Sequence, residues 1–159
     1  IHELFAMTEN ITPSNFDPRS EAIIAYTVML IALARDFSMT PADLSRWVLD
    51  QAMARGYDVF LFNGEKPTVT EYARHFSEGR KLIYHHVDMV EHLQSVSVCS
   101  QLYMTDKNHI PDAFYLYDVD IDVYYRYVSE LARHHAAAFD IQINIEHRDG
   151  KEIATFFKG

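Results

Sequence analysis

A chain of 159 residues is long enough to bury one core and short for two, so a single domain spanning residues 1–159 is expected. Apolar residues make up 48% and charged residues 23%, with five Gly and five Pro, which excludes extended disordered or collagen-like architecture. Fourteen basic against 23 acidic side chains give a formal charge of -9, which opposes indiscriminate attraction to nucleic acid or anionic membrane, so any such contact must be local.

Cys99 is the sole cysteine, which excludes an internal disulfide and a multi-cysteine zinc module and points to a reducing compartment. Ile1-His2-Glu3 does not open a secretory signal, and the uninterrupted apolar core at residues 22–34 falls short of the roughly 20 residues a membrane span needs. A cytoplasmic protein without a membrane partner is the expectation.

Residues 1–20, with Asn10, Pro13, Asn15 and Pro18, read as an extended arm. Residues 21–37 are apolar nearly all round and predict a central buried helix. Thr40-Pro41-Ala42-Asp43 is a helix start, with a hydroxyl cap, proline at the first helical position and an acid in the first turn. Leu44, Trp47, Val48 and Gln51/Ala52 then share a face, and Gly56 supplies the stop. The short apolar run 57–62 before Asn63-Gly64 predicts a strand.

Residues 67–90 predict a short amphipathic helix, a glycine turn and a second helix that runs on to about Val96 before an extended piece. Residues 105–112 predict an exposed loop, and residues 113–121, with Asp118 and Asp120 alternating, a strand. Asp122 is placed to cap a helix over 123–138, on which Tyr124, Tyr127, Val128, Leu131 and His135 recur at helical spacing and Arg126 and Glu130 form a solvent-face pair. Asp149-Gly150 lies between two alternating runs and predicts a tight hairpin in which Ile143 faces Phe156, Ile145 faces Ala154 and Asn144 faces Thr155. The fold class is α+β: a helical N-terminal two thirds packed on a small antiparallel sheet that ends in a C-terminal β-hairpin.

Residues 70–87, T-E-Y-A-R-H-F then S-E-G then R-K-L-I-Y-H-H-V, resemble the helix-turn-helix motif of bacterial and phage regulators, with Ala73 at the helix contact and Ile83 on the inner face of the second helix. The resemblance implies a second helix in the major groove, a dimer, and Arg80, Lys81, Tyr84 and His85 facing DNA, with Arg74 beside them. The turn departs from the pattern, since Ser77 and Glu78 stand where glycine and an apolar residue are usual. Residues 66–87 carry four basic and two acidic residues in a chain that is otherwise strongly acidic.

On the same expected helix, His85, Asp88 and His92 at i, i+3 and i+7 would share a face, and Asp118, Asp120 and Asp122 would share a strand face, a set suited to a metal-dependent hydrolase or nuclease. No nucleophile-elbow or glycine-rich phosphate motif is present, and Cys99 has no basic neighbour in sequence. The preferred expectation is a non-catalytic regulatory or inhibitory binding protein, homodimeric, without cofactor, acting on a protein partner or on DNA. The metal-dependent enzyme is the alternative.

Overall fold

A computed structural model describes residues 17–101 and 110–158; the expected arm and the expected loop at 105–112 therefore lie largely outside the described residues. Helix α1 (Pro18–Asp36) starts inside the segment expected as an arm, because Asp17 caps it by accepting from the Arg19 N–H at 3.1 Å and Pro18 takes the first helical position. Its inner face buries Ile24, Val28 and Ile31, as a central buried helix requires, while Tyr26 and Leu33 on the other side stay mostly in solvent. Helix α2 (Pro41–Met53) begins as read, with Thr40 and Asp43 closing a reciprocal capping box. It buries Leu44, Ser45 and Leu49, while Trp47, expected on the inner face, is half exposed.

Residues 57–62 form a helical turn, α3 (Tyr57–Phe62), in place of the expected strand. A six-residue apolar run without alternation fits either state. The ends decide, since Gly56 and Asn63 both take left-handed backbone and bracket one turn. Helix α4 (Val69–Arg80) is opened by a second capping box, Thr68 with Glu71, and buries Tyr72, Ala73, Phe76, Ser77 and Arg80 along one stripe.

The second helix of the expected pair is absent. After Arg80 the chain makes one turn, with the Tyr84 N–H donating to the Arg80 carbonyl at 2.8 Å, and enters strand β1 (His85–Glu91). A bulge between His85 and Val87, with His86 at φ 40°, marks the entry. The stretch from Val87 to Val90 pairs antiparallel with strand β2 (Val96–Gln101), so partnering across a hairpin outweighs the helical spacing read locally. The extended piece expected after Val96 is β2.

The strand expected over 113–121 is also replaced by helix: α5 (Ala113–Leu116), a turn with Asp118 at φ 49°, then α6 (Ile121–Ala138). Asp120 rather than Asp122 is the cap and accepts from the Asp122 N–H, so the alternating acids belong to a turn and a helix start, where such side chains satisfy open amides. Glu130 pairs with Arg133 at 2.9 Å.

Strands β3 (Ile141–Arg148) and β4 (Lys151–Lys158) form the hairpin in the register read from sequence: Ile143 opposite Phe156, Asn144 opposite Thr155, Ile145 opposite Ala154. Asp149 and Gly150 both have positive φ, as a two-residue turn of this hand requires. The sheet is antiparallel in the order β1-β2-β4-β3, with α4 and α6 packed on it. The α+β class is thus observed, with the hairpin β1-β2 set between helices. Two apolar cores result, one among α1, α2, α5 and α6, the other between the sheet, α4 and the second half of α6, so that α6 belongs to both.

Candidate functional site

Where the two cores meet, a half-enclosed pocket of about 380 Å3 opens between α1, α2, α4 and α6, with Tyr57 of α3 also lining it. Val128 and Tyr127 line it from the first core and Tyr72, Phe76 and Ala132 from the second, while Ile23 and Thr27 of α1 close one wall. The walls are mainly apolar and aromatic. Polar function enters through three helix positions, His75 and Arg80 on α4 and His135 on α6, and through the phenols around them.

Arg80 is held from behind. Its Nε donates to Glu152 Oε1 at 2.6 Å and Nη2 to Oε2 at 3.3 Å, the Tyr84 hydroxyl donates to Oε2 at 3.4 Å, and His147 Nε2 lies 3.2 Å from the same oxygen. The guanidinium lies over the Phe76 ring, 4.2 Å from its centroid. Glu152 is fully buried and Arg80 is 8% exposed. Burial alone would raise the Glu152 carboxyl, but the Arg80 charge and the hydrogen bonds from His147 and Arg80 outweigh it and hold the carboxyl below its usual range. Burial works against Arg80 in the same way and is overcome by Glu152, so the pair is ionised and closed on itself. The closed pair ties α4 to β4, and at this burial the desolvation of the two charges offsets much of their attraction.

The second cluster is less complete. The Tyr72 hydroxyl sits 2.7 Å from His135 Nδ1, and the His75 ring lies 6.1 Å from that of His135. Burial pushes the Tyr72 phenol well up and the His135 imidazole down to about 4, with His75 adding to the latter; burial lowers His75 as well. Both imidazoles are therefore neutral at physiological pH. A protonated phenol has one proton to donate, and Nδ1 is the acceptor within reach. With the Tyr72 hydroxyl as donor, the proton of the neutral His135 ring lies on Nε2, which is buried and without a hydrogen-bond partner among the described residues.

Of the residues singled out in the sequence, Arg80 and Tyr84 are brought together, on Glu152 and inside the fold; the others do not join them. Arg74 is exposed on α4; Arg80 is buried against Glu152; Lys81 is exposed and paired with Glu78 at 2.6 Å; Tyr84 is buried; His85 opens β1. The surface expected at Arg80 and Tyr84 is corrected on two counts, since residues 81–87 are not a helix and the Arg80 charge is spent internally. The metal set is not assembled either. His85 and Asp88 lie three apart on a bulged strand, His92 lies past its end, and among the described residues no group of three His, Cys, Asp or Glu side chains could hold a metal ion.

Glu152, Tyr72, His75 and His147 were not read as site residues, although two signals were available. The hairpin register puts Glu152 on the same face as Ala154 and Phe156, so a carboxylate had to enter the core. Tyr72, Phe76 and Arg80 recur every four residues, so a cation had to follow it in. His75 and His147 carried no comparable signal.

Among known proteins, the chain is 26% identical over 141 residues to the uncharacterized protein YxnB of Bacillus subtilis (strain 168), a similarity that covers 88% of this chain and 87% of that protein. No protein-family model matches the chain, and no solved structure matches it.

Proposed function

We propose that the protein is a non-catalytic, regulatory binding protein whose pocket between the two cores takes a small, uncharged, largely aromatic molecule bearing a hydrogen-bond acceptor. The reading keeps the expected binding role and moves the partner from a macromolecular surface to a small molecule. The observation that carries it is His135, a lining residue of an apolar pocket whose buried Nε2 has no hydrogen-bond partner among the described residues. A buried donor left unmade costs about 1–3 kcal/mol, a cost that a ligand acceptor would remove.

Charge argues for a neutral ligand: the Arg80 charge is matched by Glu152 and both histidines are held neutral, so an ionic ligand would lose hydration without gaining a counter-charge. The rings of Tyr72, Phe76, Tyr124 and Tyr127 favour a planar aromatic guest. The titration ranges argue for binding over acid–base catalysis, because a phenol held protonated and an imidazole brought down to about 4 are both poorly matched to proton transfer near neutral pH.

Calorimetric titration with acetophenone and its isostere α-methylstyrene, which lacks the acceptor, tests the reading. The ketone is expected to bind about five- to tenfold more tightly, the equivalent of one hydrogen bond, with His135→Phe levelling the two and Ala52→Trp abolishing both. Equal affinities in the wild type, no binding of either compound, or binding indifferent to Ala52→Trp would refute it.

A further inference from the structure

Helix α1 carries an apolar stripe on its outer side as well as its inner one. Ala22, Tyr26, Met29 and Leu33, followed by Phe37 just beyond the helix, are spaced by four, three, four and four residues and so fall along one line of the surface. Tyr26 is 72% exposed, Leu33 56%, Met29 40% and Phe37 74%, and the stripe contains no charged residue. Ile23 flanks it, 37% exposed. Aromatic side chains bury roughly 150–250 Å2 each, so these exposures correspond to a continuous apolar patch on the order of 500 Å2.

We infer that this stripe is the contact face between two copies of the chain, packed α1 against α1 about a two-fold axis. The inference does not rest on the ligand reading. Four-three spacing is the pattern by which one helix seats its side chains on another. Two antiparallel copies centred beside Met29 place Tyr26 opposite the partner's Leu33 and Ala22 opposite the partner's Phe37, so that the smallest residue of the stripe meets one of the largest. A patch on the order of 500 Å2 per copy removes about 1,000 Å2 in all, the lower bound of specific association, so the dimer is expected to be reversible and concentration-dependent. Each copy carries a formal charge of -9, and a charge-free stripe offers an approach with little like-charge repulsion.

Sedimentation velocity of the full chain over a concentration series tests the inference. The expected result is a mass rising from 18.5 kDa toward twice that value. Met29→Glu sets two carboxylates face to face at the axis and is expected to weaken association at least tenfold while leaving the far-ultraviolet dichroism unchanged. Tyr26→Lys, at a more exposed position, is expected to do the same should Met29→Glu disturb folding. In a Cys99→Ser background, Met29→Cys is expected to give a covalent dimer on mild oxidation. A monomer at every concentration would overturn the inference. So would a dimer that is insensitive to both charge substitutions and fails to cross-link through position 29, since its interface would then lie elsewhere.

Discussion

Arg80 illustrates how a single residue changes meaning with its surroundings. Read along the chain it is a cation beside Lys81 near the end of a basic stretch; in the fold it is the partner of a carboxylate that hairpin register forces inward. Removing one member strands the other charge, so Arg80→Met is expected to cost about 3–5 kcal/mol in urea-monitored unfolding. Arg80→Met combined with Glu152→Leu is expected to recover most of that loss. A double variant no better than the single would mean that the pair contributes through its hydrogen bonds to Tyr84 and His147 rather than through its charge. His135 gives a pH-dependent test. Its folded pKa, brought to about 4 from 6.5, is depressed, so between those values the unfolded chain binds a proton that the folded chain does not. Stability is therefore full above about pH 6.5 and falls toward pH 4, by up to about 3 kcal/mol, with His75 acting in the same direction. His135→Gln is expected to reduce the slope in that interval to the part His75 carries while leaving the loss at lower pH, where Glu152 takes up its proton. An unchanged slope would show that His135 does not carry it.

At the scale of elements, what was legible depended on whether the deciding interaction was local. The helix start at Thr40 and the turn at Asp149-Gly150 are fixed within four residues, and both form as read. β1 was misread as helix because its strand character comes from pairing with β2, and the acidic run 118–122 was misread as strand because its carboxylates serve as turn and cap groups. Gly79 separates the two accounts of residues 67–87. As the hinge of a helix pair it would need a turn conformation; in the fold it lies inside α4, where an added Cβ meets nothing within 4 Å. Gly79→Ala is accordingly expected to raise stability by about 0.5–1 kcal/mol, read from the shift of the urea midpoint. A destabilised variant would indicate that α4 ends before Gly79.

For the whole molecule, the α+β class and the hairpin register were open to inspection in the sequence, and the pocket was not. A pocket at a junction of two cores exists only once α6 has been placed against both, and the residues that line it come from five helices, α1 to α4 and α6, and from Ile83. No pattern within a window of the chain encodes such a meeting. Nor does periodicity report whether a helix that is apolar nearly all round along its middle, as α1 is, will have one face left in solvent. Among the described residues no single helix is long and apolar enough to cross a membrane.

Nitrogen-resolved NMR of the imidazole side chains, recorded with and without acetophenone, bears most directly on the pocket. The His135 ring is expected to show a protonated Nε2 in the free protein, and that resonance to move in a saturable way as the ketone is added. A ring protonated at Nδ1 instead, or an Nε2 signal indifferent to the ketone, would contradict the assignment of this pocket as a ligand site.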